Sequence, residues 1–239
     1  MSPILSVVIA AFNEQDNIKD LTTRIEKTLK SNNVPYELIY VIAGTDNTVK
    51  IAQELQKTIP IKIIYDSQPG GLGNDFKKGF SAVSPSSKYV LTMDADLNHS
   101  PEEIPLFMKC MEADQSDIII GSRYIKDAKL LNMPLWKRFV SKLANITFSI
   151  MLSTSIKDKT SGYRLYKHKI LQNLASSFKS RNFEFLIEML MIALKNKYKI
   201  QEIPITFNYR IYGKSKMDLF KTAKGYAKLL LCRNKIQIK

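Results

Sequence analysis

The chain has 239 residues, 45% of them hydrophobic, a formal net charge of +14 and two cysteines. Such a length and apolar content can bury one sizeable core, which argues against disorder. Cys110 and Cys232 stand far apart with no metal-type cysteine–histidine spacing, against a disulfide framework or structural zinc and in keeping with a reducing cytosol. The basic balance asks for an anionic partner, whether nucleic acid, phosphorylated substrate or acidic lipid.

The apolar run at 4–10 reads as a first strand; no basic leader precedes it, so it is not a signal peptide. Helix, strand, helix and strand patterns follow at 15–30, 37–42, 48–57 and 61–65. They continue as a helix at 73–82, a strand at 89–93, a helix at 101–111 behind a Ser100 cap with Pro101 in its first turn, and a strand at 117–121. This alternation predicts an α/β fold with a mostly parallel, doubly wound sheet flanked by helices. Beyond residue 130 come longer helices with basic faces at 135–152, 182–195 and 217–231, interrupted by a strand-like run at 200–208. No Gly/Pro/Ser linker divides the chain, so 1–239 reads as one domain. No stretch reaches the roughly 18 apolar residues that span a bilayer, so membrane association would be peripheral.

Open α/β sheets gather ligands beyond the carboxyl ends of their strands. Those positions hold Phe12, Asn13 and Glu14 after the first strand, then Asp46, Asp66, Asp94 with Asp96, and Arg123 after the next four. Two carboxylates at the end of a buried strand are costly unless a cation or hydrogen bonds satisfy them. With Asn98, Asp94 and Asp96 form a set of hard oxygens suited to Mg²⁺ or Mn²⁺ bridging phosphates; the alternative is a solvated turn before the next helix. Arg123 reads as a phosphate ligand or a carboxylate-paired arginine, and Lys214 and Lys216 as phosphate ligands or a solvated loop.

On the 135–152 helix, Leu135, Trp136, Phe139, Val140, Leu143, Ile146 and Ile150 form a broad apolar face opposite Arg138, Ser141, Lys142, Asn145 and Ser149. The pattern fits either an interfacial helix or an ordinary core-facing one. The segment at 217–231 repeats the theme with Lys221, Lys224 and Lys228, a basic face suited to an anionic membrane surface. Such a helix binds reversibly, which leaves a place for a small membrane-anchor protein. His99 adjoins the acidic turn, His168 reads as surface, and Glu184 and Glu188 share an apolar helix face where a buried role fits.

Read together, VVIAAFNE (7–14), GGLGNDFKKGF (70–80), MDADLNHSPEEIP (93–105), IGSRY (120–124), LWKRFVSKLAN (135–145), DKTSGYRLYK (158–167) and EIPITFNYRIYGKSK (202–216) resemble, in this order, the dolichol-phosphate mannose synthase branch of the family 2 glycosyltransferases. The resemblance implies a GT-A fold in which Asp94, Asp96 and Asn98 surround the metal. It assigns Phe12, Glu14, Asp46, Gly73, Asp94, Arg210 and Lys216 to the nucleotide sugar, and Arg123, Lys137, Ser141 and Arg210 to the acceptor phosphate, with Asp96 and Arg123 the catalytic pair. It also divides the chain into a nucleotide-sugar and metal half, 1–130, and an acceptor and membrane-interface half, 131–239. The expected enzyme is peripheral on the cytoplasmic face of a membrane and moves mannose, with GDP-mannose favoured, onto dolichyl or polyprenyl phosphate.

Three departures qualify that picture. The paired aspartates expected after the second strand are Ile42 and Ala43, in a loop one residue short whose only carboxylate is Asp46, so the resemblance by itself does not establish a guanine preference. Ala10 stands for the proline expected before the first aromatic. Lys137 stands where arginine is usual, losing a bidentate fork. A donor such as UDP-glucose, or a sugar hydroxyl acceptor with Asp158 as the spare acid, remains open; a nucleic-acid-binding α/β protein is motivated by charge alone, and no nucleic-acid motif is present.

Overall fold

The computed structural model describes residues 2–209 and 219–231. Its first half alternates β1 (Leu5–Phe12), α1 (Ile18–Ser31), β2 (Tyr36–Ala43), α2 (Thr48–Gln56), β3 (Ile61–Asp66), α3 (Leu72–Ser81) and β4 (Tyr89–Asp94). A 3-10 turn at Pro101–Glu103 then leads into α4 (Ile104–Ala113), β5 (Ile118–Ser122) and a short β6 (Lys129–Leu131). The second half comprises α5 (Leu135–Leu152), β7 (Arg164–Lys167), α6 (His168–Ser177), α7 (Phe185–Lys195), β8 (Ile200–Pro204), β9 (Thr206–Asn208) and α8 (Leu219–Leu231).

The main sheet has seven strands in the order β3-β2-β1-β4-β7-β5-β8. Only β7 runs antiparallel to its neighbours. Its central strands are near-continuous apolar runs because helices cover both faces. On one face Val7 and Ile9 of β1 pack with Leu21, Ile25 and Leu29 of α1 and Phe107 and Met111 of α4. On the other, Val8 and Ile39 meet Phe76 and Phe80 of α3, Leu171 and Leu174 of α6, and Met189 and Leu190 of α7. Helix α7 is buried on every side from Phe185 to Ala193, because its outer residues Ile187 and Met191 pack against Phe148 of α5 and Leu229 of α8.

The strands run β1-β2-β3 in one direction and then jump back across β1 to β4. That reversal opens a crevice beyond the carboxyl ends of β1 and β4, where Ala10 is in register with Asp94. The same edge aligns Phe12 with Ala43 and Ala43 with Asp66.

Two features depart from the sequence reading. The run expected as one strand at 200–208 breaks: β8 pairs with β5, while β9 leaves for a separate two-stranded sheet with β6. Pro204 has no amide hydrogen to extend the ladder, and β8 is an edge strand where proline is tolerated; Ile205 N then donates to Ser122 O at 3.2 Å. Strand β7 and helix α6 also lie in a stretch to which periodicity assigned no element, since a four-residue strand with charged ends carries no apolar alternation.

Candidate active site

The turn after β4 is built by local chemistry. Leu97 holds a left-handed backbone, φ 61°, which side chains other than glycine adopt only at a cost of order 1 kcal/mol or more. The reversal folds Asn98 back on Asp96: Asn98 N donates to Asp96 Oδ1 at 3.2 Å and Asn98 Nδ2 to Asp96 Oδ2 at 2.7 Å. With the amide nitrogen so engaged, Asn98 Oδ1 is buried with no hydrogen-bond partner among the described residues. A buried oxygen beside a carboxylate is the arrangement a hard cation completes. No cluster of three or more His, Cys, Asp or Glu ligands occurs among the described residues. The donors fit a Mg²⁺- or Mn²⁺-type ion, which Asp94, Asp96 and Asn98 would hold while leaving positions for ligands from outside the protein.

Three segments wall this turn. From β9, Asn208 N donates to Asn98 O at 2.9 Å, and Phe207 pairs with His99 in an isolated bridge. His99 is wedged against Tyr163, centroids 4.9 Å apart, and Phe207, 5.5 Å. Burial first, and then the charge of Arg123, push its pKa down to about 3, so it is neutral at physiological pH and fills space next to the acidic turn. The 158–163 segment forms the floor: Thr92 Oγ1 donates to Gly162 O at 2.7 Å, and a Cβ on Gly162 would lie 3.6 Å from Asp94 Oδ2. The bare glycine lets the backbone of this segment approach the Asp94 carboxylate.

Arg123 forms the third wall and is far from a loose surface cation. Its Nε and Nη2 donate to Asp158 Oδ2 and Oδ1 at 2.7 and 2.8 Å, its backbone N to Oδ2 at 3.0 Å, and Nη2 also to Thr160 Oγ1 at 2.8 Å. Burial alone would lift the Asp158 carboxyl, but the guanidinium holds it below its ordinary range. Arg123 is raised in turn despite its own burial. The structure therefore realises the carboxylate-paired reading of Arg123, with only its Nη1 edge uncommitted among the described residues. Asp158 itself is pinned by Glu202, which accepts from the backbone N of Asp158 and Lys157 at 2.8 and 2.7 Å.

Ser141 and Lys137 sit on one edge of α5 and each meets a tyrosine. Tyr124 OH, next to Arg123, donates to Ser141 Oγ at 2.7 Å; Lys137 Nζ hydrogen-bonds Tyr209 OH and lies 4.7 Å from that ring's centroid. Arg123 and Ser141 are thus linked through Tyr124, while Lys137 is held separately by Tyr209. Arg210 and Lys216 lie outside the described residues.

Among the residues expected around the nucleotide, Phe12 is exposed at the end of β1. Glu14 is buried, and its carboxylate accepts from Asn17 Nδ2 at 2.6 Å. Asp46 fixes its own loop, accepting from Thr48 N, Thr48 Oγ1 and Gln15 N at 2.9, 2.5 and 3.1 Å. Gly44, φ 106°, passes so close to Asn13 that a Cβ would lie 2.0 Å from Asn13 Oδ1. Gly73 makes the contact of a packing glycine: its N donates to Arg181 O at 2.8 Å, and a Cβ would meet Ser180 O at 2.4 Å. Glu188 holds that opposing loop by accepting from Lys179 N and Ser180 N at 3.0 and 2.8 Å, which gives the buried glutamate the role that the sequence reading left open. Ile42 and Ala43 are 1% and 3% exposed and present no polar group to a base.

Helix α5 shows the largest inversion. Leu135, Phe139 and Ile150 are 81%, 68% and 75% exposed, and Trp136, Val140, Leu143 and Ile146 are exposed with them. Asn145 faces inward, only 3% exposed, and Ser141 and Ser149 bond to inward groups. Of the two readings left open for this helix, the core-facing one is excluded.

A parallel sheet with its switch-point crevice over an Asp-x-Asp turn is the architecture of the GT-A glycosyltransferases. Solved structures of glucosyl-3-phosphoglycerate synthase from Mycobacterium tuberculosis superpose on this fold. One, in complex with Mn²⁺, UDP-glucose and phosphoglyceric acid, has TM-score 0.75 at 17% identity, covering 99% of this chain and 81% of that one. Another, with Mn²⁺, UDP and phosphoglyceric acid, has TM-score 0.73 at 16% identity, covering 100% and 80%. In sequence, the glycosyl transferase family 2 profile matches residues 6–175. The chain is 35% identical over 217 residues to a dolichol-phosphate mannosyltransferase of Pyrococcus furiosus, covering 89% of this chain and 59% of that protein. It is 31% identical over 217 residues to a polyprenol monophosphomannose synthase of Mycolicibacterium smegmatis, covering 89% and 80%. The chain belongs to glycosyl transferase family 2; it spans 59% of the length of the Pyrococcus relative.

Proposed function

We propose that this glycosyltransferase moves mannose from a nucleotide sugar, GDP-mannose first, onto a dolichyl or polyprenyl phosphate, with inversion, while seated peripherally on the cytoplasmic face of a membrane. The observation that carries this reading is α5: its apolar face is turned to solvent, while on its opposite edge Ser141 meets Tyr124, the neighbour of Arg123, and Lys137 meets Tyr209. A lipid phosphate approaching along such a helix would arrive with its chain in the interface and its headgroup at the site. The names of the Pyrococcus and Mycolicibacterium relatives support the same acceptor class.

The chemistry asks little of a base. A phosphate monoester has a second pKa of about 6 and is already anionic near neutrality, so it can attack the anomeric carbon directly. Arg123, held rigid by Asp158, directs its Nη1 edge at the acceptor phosphate, and Lys137 and Ser141 complete the cradle. Asp94, Asp96 and Asn98 would hold a divalent ion, Mg²⁺ or Mn²⁺, that neutralises the diphosphate leaving group. Phe12 and Glu14 would line the nucleotide side. The engagement of Asp158 disfavours a hydroxyl acceptor, because a carboxylate whose pKa is held below its ordinary range by a bidentate arginine is a weak general base near pH 7.

A second donor is favoured by one observation: with Ile42 and Ala43 buried and apolar, the usual carboxylates are missing from the base site, so UDP-glucose or a similar donor competes with GDP-mannose. Incubation of the protein and Mn²⁺ with a panel of nucleotide sugars and polyprenyl phosphate decides the matter. The expected product is a lipid-linked mannose. Product from UDP-sugars alone would replace the donor, and product on a glycan hydroxyl alone would replace the acceptor.

A further inference from the structure

The 158–161 segment contains a second buried cation that the reaction above does not use. Lys159 is 0% exposed, and no carboxylate lies within hydrogen-bonding distance of its ammonium among the described residues. Its Nζ instead donates to three uncharged oxygens: Asn145 O at 3.1 Å and Ser149 Oγ at 2.6 Å, both on α5, and Ile156 O. Burying an ammonium against neutral acceptors is expensive, and burial pulls its pKa down against the opposing charges of Glu202 and Asp158. A methionine or leucine would fill the same space at less cost, so packing alone does not explain a lysine here.

What the lysine accomplishes is connection. Its backbone N donates to Asn145 Oδ1 at 2.8 Å, while Asn145 Nδ2 donates to Ser141 O at 3.0 Å and lies 3.3 Å from Thr160 Oγ1. Thr160 Oγ1 is also the atom that receives Arg123 Nη2. Behind the segment, the buried Arg164 donates to Lys159 O, Ser161 O and Leu186 O at 2.6, 2.8 and 3.0 Å, so the loop is anchored to the core on one side and to α5 on the other. The only polar ties between the inward face of α5 and this loop that the described residues show run through Asn145 and Lys159.

We propose that Lys159, with Asn145, is a positioning residue that couples the outward-facing helix α5 to the Arg123–Asp158 pair, so that seating α5 on a lipid surface sets the geometry of the acceptor side of the site. The inference rests on the lipid-phosphate reading above. It predicts a defect in acceptor transfer rather than in donor binding, because Asn98 is held by Asp96 and by Asn208 of β9, and β1 and β2 by each other, none of them through Lys159.

The test compares wild type with Lys159→Met and Ser149→Ala, using polyprenyl phosphate in phosphatidylcholine–phosphatidylglycerol vesicles and whichever nucleotide sugar wild type uses. Lys159→Met is expected to lower kcat by about tenfold or more, since small misplacements of a positioned group cost up to about 100-fold. Its donor KM should change by less than about twofold, the signature of an interaction that does not contribute to donor binding. Ser149→Ala, which removes one of the three acceptors and is mild enough to fold, should shift kcat in the same direction by a smaller factor. Vesicle co-sedimentation should match wild type in both, because the apolar face is untouched. Wild-type kcat in both variants would overturn the coupling. So would a donor KM that worsens in proportion to kcat, which would make Lys159 a general structural residue. A wild-type protein that transfers to no polyprenyl phosphate would instead sink the underlying reading, and the coupling with it.

Discussion

At Asp158, burial and charge pull in opposite directions, and the guanidinium of Arg123 decides the outcome. A carboxyl with a folded pKa below its unfolded value of about 3.9 contributes stability that is present above about pH 4 and lost as pH falls through the lower folded value. Chemical denaturation followed across pH 2 to 7 should therefore show a decline on the acid side that Asp158→Asn makes shallower. At neutral pH the same variant strands a buried arginine and should lose about 3–5 kcal/mol; a loss under about 1 kcal/mol would mean that water reaches Arg123. Gly73 offers a second check on a single position. Because a Cβ there would meet Ser180 O at 2.4 Å, Gly73→Ala should cost about 1–3 kcal/mol by overpacking two backbone segments. Thermal unfolding reads it directly, and an unchanged midpoint would contradict the close approach.

The exposed face of α5 makes the clearest claim at the level of elements. Phe139→Ser with Ile150→Ser removes two side chains that touch little in the free protein, so the unfolding midpoint should hold within a few degrees. Vesicle binding should fall by about tenfold or more, since burying each such side chain is worth about 1.5–3 kcal/mol. Co-sedimentation measures it, and equal binding by the variant would remove α5 from the interface. This helix also shows how far the sequence could be read. Its 3.6-residue apolar stripe and its limits at 135–152 were legible, yet periodicity cannot say which way a stripe faces. That depended on α7, whose Ile187 and Met191 bury Phe148 of α5, with Ala144 and Leu152 partly buried beside it. The strands before residue 122 were equally legible: β1, β2, β4 and β5 are apolar runs buried on both faces, and the edge strand β3 keeps an apolar run although it is partly exposed. Strand β7 was not, because its place is set by antiparallel pairing with β4 and β5 and by the buried Arg164. In the site, the acidic turn and Arg123 could be named from the ends of strands. The partners that fix Arg123, namely Asp158 and Thr160, come from a distant segment, as does Tyr209 beside Lys137, and no local pattern announces those contacts.

For the whole molecule, the formal charge of +14 and the outward apolar helix act on the same partner. Binding to vesicles with anionic lipid should weaken steeply as salt rises from about 0.05 to 0.5 M, because the Debye length shrinks from over 10 Å to a few ångströms. Neutral vesicles should show weaker binding with little salt response; salt-independent binding to both would assign the interaction to α5 alone. The fold brings Ser141 of α5 to Tyr124 and Arg123, and Arg123 to the Phe207–His99 pair beside the acidic Asp94–Asn98 turn. The central claim is metal-dependent transfer of a sugar from a nucleotide to a lipid phosphate at that site. The most direct measurement is formation of radiolabelled lipid-linked sugar from GDP-[¹⁴C]mannose and polyprenyl phosphate, with and without Mn²⁺, for wild type and Asp96→Ala. Product is expected only with wild type and metal. Product formed without any divalent ion, or at an undiminished rate by Asp96→Ala, would contradict it.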